Sequence, residues 1–109
     1  MRDQRAQYRL PFYCEARIDG LDTARDACRI ADISVGGAFI EAKTVLPVGA
    51  RACARFTLLG HEIATGVEVE YLAPGIGMGV RFTDLSQLGE VVIRTLIARE
   101  AEQRKNREA

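Results

Sequence analysis

From Glu62 to Tyr71 the chain alternates without a slip: Ile63, Thr65, Val67, Val69 and Tyr71 fall on one side, and Glu62, Ala64, Gly66, Glu68 and Glu70 on the other. A period of two is what a half-buried strand requires, because successive side chains of an extended backbone point to opposite faces. The apolar side of this strand has to be covered, and the rest of the sequence supplies the cover.

Shorter stretches repeat the alternation. Phe12, Cys14, Ala16 and Ile18 oppose Tyr13, Glu15 and Arg17, after which Asp19-Gly20-Leu21-Asp22 reads as a turn. A second strand is predicted from about Ala27 to Ile33. Its facing changes part-way, since Cys28 and Ile30 share the parity of Asp32 and Ser34 whereas Ile33 and Val35 share the other; this predicts a bulge or twist before Asp32. Gly36-Gly37 allows backbone angles or approaches that a side chain would block, and Ala38 to Ala42 resumes as a third strand. After the break at Pro47-Val48-Gly49, Ala52, Ala54, Phe56 and Leu58 alternate with Cys53, Arg55 and Thr57, and Leu59-Gly60-His61 reads as the hairpin connection to the long strand. Pro74-Gly75-Ile76-Gly77 turns the chain into a sixth strand, with Met78, Val80 and Phe82 inward and Arg81 outward.

The period then becomes helical. Asp84 or Ser86 can cap a helix, and Leu88, Val92 and Leu96, flanked by Val91, Ile93 and Ile97, form a broad apolar stripe. Six short strands separated by turn signals predict a mainly β fold, a six-stranded antiparallel β-barrel, because closure leaves no long exposed edge. The C-terminal helix is predicted to pack on the barrel's open mouth or side.

At 109 residues, 48% hydrophobic and with a formal net charge of zero, the chain is sized for one domain. We divide it into an arginine-bearing arm (1–11), a barrel with its helix (12–98) and a charged tail (99–109) predicted to be a solvated helical extension that frays. Zero net charge argues against binding a nucleic acid polymer, which usually shows as a strongly basic domain. No apolar run is long enough to span a bilayer, and the N-terminus is polar, so no membrane insertion and a cytoplasmic location are expected. Cys14, Cys28 and Cys53 form an odd set without a C-x-x-C pair, each within a predicted strand, and are read as structural. With His61 the single histidine, the sequence offers no metal site of ordinary spacing, no Cys/His pair and no catalytic constellation. No enzymatic activity and no cofactor are expected. Glu62, Glu68 and Glu70 read as a solvated strand face, and Gly77-x-Gly79 as a barrel strand needing a close backbone approach, since it lacks the third glycine of a dinucleotide fingerprint.

Two clusters remain. Arg5-Ala6-Gln7-Tyr8-Arg9 precedes the first strand, and Asp32-Ile33-Ser34-Val35-Gly36-Gly37 spans the second turn. An arginine fork suits phosphate oxygens and the O6/N7 edge of guanine, whereas a carboxylate suits guanine's N1–H and N2–H₂ donors. Taken singly, the first reads as an ordinary solvated arm and the second as an Asx or Ser turn. Together they read as a guanine-nucleotide site. Tyr8, between the arginines, either stacks on a base or covers the barrel edge.

Arg5-x-x-x-Arg9 before the first strand, Asp32-x-Ser34-x-x-Gly37 at the second turn, and Gly77-Met78-Gly79-Val80-Arg81-Phe82 before a helix together resemble the bacterial PilZ domains, which bind cyclic di-GMP. The resemblance spans nearly the whole chain. It implies the same barrel and C-terminal helix, with an N-terminal arginine segment folding over a nucleotide on the barrel's outer face. Arg5 and Arg9 would take phosphates and guanine edges, Asp32 a guanine Watson–Crick edge, and Ser34 a phosphate, ribose or base edge. Gly37 would leave room for the ligand, with Gly36 an extra glycine beside it. Gln4 sits where the family's residue type is associated with binding one ligand or an intercalated pair, and it is neither bulky and apolar nor a third arginine; Arg2 is close enough in sequence to assist. The implied function is that of a second-messenger receptor relaying cyclic di-GMP to a protein partner, in processes such as motility or biofilm formation. The alternative is an interaction adaptor of the same fold, serving motility, pilus or envelope machinery without nucleotide.

Overall fold

The computed structural model describes residues 9–19 and 28–108. Six strands, β1 (Leu10–Ile18), β2 (Cys28–Ile33), β3 (Gly37–Glu41), β4 (Arg51–Leu58), β5 (His61–Ala73) and β6 (Gly77–Phe82), close into an antiparallel barrel in the order β1-β2-β3-β6-β5-β4. One helix, α1 (Gln87–Glu108), follows. No described helix is long and apolar enough to cross a membrane.

The inward positions are those that alternation assigns. Ala16, Ile18, Ile30, Ala54, Phe56, Leu58, Ile63, Val67, Met78 and Val80 are buried in one core. β1 starts at Leu10 rather than Phe12, because Leu10 pairs with Ile33 and is itself buried; strand structure therefore reaches into the segment assigned to the arm. The β4–β5 connection is a two-residue turn in which Leu59 (φ 49°) and Gly60 (φ 80°) both lie in the left-handed region. A two-residue hairpin with positive φ at both positions matches the twist of its strands, and glycine takes that geometry without steric cost.

The predicted irregularity in β2 is present. Ile30 pairs with Ile40 and Asp32 with Phe39, so Ala31 is an extra residue with no counterpart on β3. Such a bulge reverses the facing of everything after it. Cys28 and Ile30 are buried before it, Ile33 is buried after it, and Asp32 is left facing outward.

A second bulge overturns one expectation. Tyr71 does not continue the inward face of β5: the register shifts between Val69 and Tyr71, and Tyr71 emerges 46% exposed. Glu70 is the extra residue. The unbroken alternation in the sequence conceals this slip, because the bulge is set by the pairing with β6.

Helix α1 buries a narrower stripe than its sequence offers. Val92, Ile93 and Leu96 are buried, and Ile97 packs against the core, whereas Leu88 and Val91 are 56% and 54% exposed. At 3.6 residues per turn the docked residues share one arc, and Leu88 and Val91 lie beyond it. Ser86 is the cap, its Oγ accepting the Gly89 N–H at 3.0 Å. Asp84 instead accepts the Gly66 N–H at 2.6 Å, tying the end of β6 to β5. Beyond Ala98 the same helix runs on to Glu108, with residues 101–105 exposed.

Candidate functional site

The barrel's closure sets Pro11, Asp32, Phe39, Gly79 and Tyr71 in one cross-strand row over β1, β2, β3, β6 and β5. The neighbouring row holds Gly37, Arg81 and Glu68. A depression of about 610 Å³ lies over this face, lined by Arg9, Asp32, Ser34, Gly36, Gly37, Glu70, Tyr71, Val80 and Arg81. Its size is within the ~300–1,000 Å³ common for small-molecule sites.

The two sequence clusters meet at its rim. Arg9 Nη1 donates to Asp32 Oδ1 at 2.9 Å, both side chains being about one-third exposed. Arg9 stands immediately before β1, and the Ala31 bulge has turned Asp32 outward to meet it. Among the described residues this contact uses one N–H of a guanidinium that has five and one oxygen of a carboxylate that has about four lone-pair sites.

Ser34 is placed differently. It is 2% exposed, and its hydroxyl donates to Gly37 O at 3.4 Å while accepting the Gly36 N–H at 3.2 Å. The Ser34 N–H also donates to Gly37 O, at 2.9 Å, and Gly36 O accepts the Phe82 N–H at 2.9 Å. The side chain therefore closes the β2–β3 corner and fastens it to β6. At Gly37 a Cβ would run into the Val80 carbonyl and would stand 2.9 Å from Arg81 Cα, so only glycine lets β3 lie this close to β6. Arg5, Gln4, Arg2 and Tyr8 fall outside the described residues.

Four residues of this face were not singled out by the sequence as a site. Arg81 Nη2 donates to Glu68 Oε1 at 2.8 Å, and its Nε lies 3.6 Å from Glu70 Oε2. Glu68 also faces Arg51, at 3.4 Å. The expected solvated glutamate face is thus, at Glu68 and Glu70, a set of ion pairs that holds Arg81 at the depression. Tyr71 stacks on Phe39, ring centroids 6.2 Å apart at 26°. Gly79 lies beneath, where any Cβ would collide with the Tyr71 ring; the close backbone approach expected of this segment is at Gly77, where a Cβ would run into the Ile40 carbonyl. An outward arginine in the Gly77–Phe82 segment was the one available signal for Arg81. For Tyr71 the alternation pointed the wrong way.

The cysteines are free thiols. Cys28 donates to the Ala16 carbonyl at 2.9 Å, and burial pushes the Cys14 thiol from 9.0 up to about 11, so it stays protonated and a weak nucleophile at neutral pH. Among the described residues, no three His, Cys, Asp or Glu side chains converge in a way that would hold a metal ion.

Comparison with known proteins places this architecture. No curated protein sequence matches the chain. Among solved structures it is similar to the Bacillus subtilis inhibitor of motility (MotI/DgrA), with a TM-score of 0.74 and 15% identity over 94% of this chain and 52% of that one. The chain thus spans about half the length of that protein. It is also similar to the PilZ domain of CeSA from a cellulose-synthesizing bacterium, with a TM-score of 0.58 and 20% identity over 82% of this chain and 93% of that one. At these identities the likeness is one of fold. The family model described as PilZ domain matches residues 3–99, the whole barrel and the first part of the helix. The chain belongs to the PilZ domain family, a cyclic di-GMP-binding family of binding and adaptor domains.

Proposed function

We propose that this domain is a cyclic di-GMP receptor that relays ligand binding to a protein partner. The observation that carries the proposal is the Arg9–Asp32 contact at 2.9 Å, which brings together two motifs far apart in sequence at the rim of a concave face. Asp32 accepts from a guanine Watson–Crick edge, and Arg9 with Arg5 takes phosphates and the O6/N7 edge. Ser34 contributes chiefly by fixing the corner; a direct bond to the ligand exchanges its contact with Gly37. Gly36 leaves the ligand room to approach the backbone, and Gly37 shapes the floor of the site by letting β3 lie close to β6.

Charge defines the arm's part. Arg9 and Arg81 line the depression opposite Asp32 and Glu70, so the described lining is balanced. A dianion needs added cations, and Arg5 and Arg2 supply them from the N-terminal side. Folding of that segment over the ligand creates a new surface for a partner to read.

The test is calorimetric titration with cyclic di-GMP at two salt concentrations, with cyclic di-AMP as control. Saturable, salt-weakened binding of the guanine ligand alone is expected. Absence of heat up to roughly 100 μM, or about 5.5 kcal/mol, moves the assignment to a nucleotide-independent adaptor. That second reading is favoured by one observation: Leu59, Leu88 and Val91 present an exposed apolar patch between α1 and the β4–β5 hairpin. Under it, a partner is captured equally with and without nucleotide.

A further inference from the structure

Two of the barrel's register slips open onto the same depression. The one at Ala31 turns Asp32 outward, and the one at Glu70 does the same for Tyr71. Bulges cost ladder hydrogen bonds and re-aim side chains, and they concentrate beside functional sites. The first has an evident purpose in the proposed site; the second calls for one.

Tyr71 is not simply an aromatic left in solvent. Its ring lies over Gly79 and against Phe39, in the offset-stacked range for aromatic pairs. It is thereby held in one orientation while remaining 46% exposed to the depression. Strands stand about 4.8 Å apart, so the three steps from Asp32 to Tyr71 along the row span roughly 14 Å, with Phe39 between. An edge-binding carboxylate at one end and a fixed aromatic face at the other suit a ligand that is flat, aromatic and extended. Cyclic di-GMP carries two guanines, and the Arg9–Asp32 pair presents groups for the edge of one.

Resting on the receptor reading above, we propose that Tyr71, seated on Gly79 and backed by Phe39, is a base-stacking platform that takes the face of a guanine. It is a binding element outside both sequence motifs. Arg81, held by Glu68 and Glu70, borders this platform on the adjacent row.

The experiment measures cyclic di-GMP affinity of the full chain and of Tyr71→Phe, Tyr71→Leu and Tyr71→Ala, each checked for folding by circular dichroism. Loss of one stacked base weakens binding by roughly 5- to 150-fold, so Tyr71→Ala is expected to lose that much and Tyr71→Phe to stay within about twofold. Tyr71→Leu keeps an apolar side chain over Gly79 but cannot stack a base, and is expected to bind as weakly as Tyr71→Ala. Leucine binding like tyrosine would overturn the platform and leave Tyr71 as cover for the strand. Tyrosine-labelled NMR adds a readout that a purely structural role would not move. On titration with cyclic di-GMP the Tyr71 ring signals should shift upfield, while Tyr13, beneath the Arg29 guanidinium at 4.3 Å on β1, should not. A wild-type chain that binds no cyclic di-GMP overturns both readings; wild-type binding with unchanged affinity in Tyr71→Ala overturns the platform alone.

Discussion

The β4–β5 hairpin and the face formed by β2, β3, β6 and the far half of β5 use the same strand chemistry to different ends. In the hairpin, pairing runs from Arg51↔Glu68 to Leu58↔His61 without a slip. On the other face the register shifts between Ile30 and Asp32 and again between Val69 and Tyr71, and a third shift lies between Pro11 and Cys14 in β1–β2. The regular ladder buries one face and leaves the other to solvent. The two slips on that other face instead each bring a residue out of phase with its strand, and Asp32 and Tyr71 both reach the depression this way. Regular pairing builds the barrel, and its interruptions build the site.

The largest effect should come from testing the two faces that one slip sets up. Asp32 and Ile33 both follow the Ala31 bulge, on opposite faces of the strand: Ile33 is fully buried and Asp32 about one-third exposed. Ile33→Ala should cost about 2–5 kcal/mol of unfolding free energy, as for other large-to-small core changes. Asp32→Ala removes an exposed ion pair and should cost under ~1 kcal/mol of stability while weakening cyclic di-GMP binding. Urea denaturation paired with calorimetry separates the two. Equal stability losses at both positions would mean that the bulge does not divide core from site.

Next is the corner itself. A Cβ at Gly37 meets β6 backbone, which has no side-chain freedom to give, whereas a Cβ at Gly66 meets the side chains of Thr83 and Asp84. Gly37→Ala should therefore lose about 1–3 kcal/mol, the range for overpacking, and Gly66→Ala less. A thermal melt of each variant gives the comparison, and a harmless Gly37→Ala would show that β3 and β6 can separate.

The same contrast explains what the sequence discloses. Strand-by-strand alternation is legible because burial of one face imposes it, and it assigned Phe12 to Ile18, Ala52 to Leu58 and Met78 to Val80 correctly. The β2 bulge was legible too, since a bulge that exchanges buried positions leaves a parity conflict between Ile30 and Ile33. The β5 bulge leaves none. Tyr71 is acceptable to either face, so nothing local reports that it has changed sides; the information resides in Gly79, which pairs with it from another strand. Arg81 was hidden differently, since an outward arginine on a strand is ordinary until Glu68 and Glu70 are seen to hold it. The helix stripe was overestimated because periodicity counts apolar residues and cannot measure the width of the surface they dock on.

A smaller effect should come from charge at the regular edge of the site. Arg81→Ala leaves Glu68 and Glu70 without this arginine beside a dianionic ligand, and should weaken binding about fivefold, near 1 kcal/mol. Glu70→Gln removes repulsion and should strengthen binding slightly. Both changes should shrink at high salt, because the groups are partly exposed. If Arg81→Ala is silent and salt-independent, the ligand does not extend along the Gly37–Arg81–Glu68 row.

The smallest effect is one that vanishes at neutral pH. Cys14 sits at the β1–β2 slip, and burial raises its thiol from 9.0 to about 11, while Cys28, two strand positions from its partner Ile30, is also raised by burial. The folded state thus favours the neutral thiol. Below about pH 9 the thiol is protonated in both states and the stabilisation is fully present; as pH rises toward the folded value the unfolded chain ionises first and stability falls. Cys14→Ala should flatten part of that decline, with Cys28 sustaining the rest. Urea midpoints of wild type and variant at about pH 8 and about pH 10, subtracted from each other, cancel the titration of the other groups. A difference that does not change with pH would mean that solvent reaches Cys14 through the slip, so that this interruption, unlike the one at Ala31, leaves the barrel wall open.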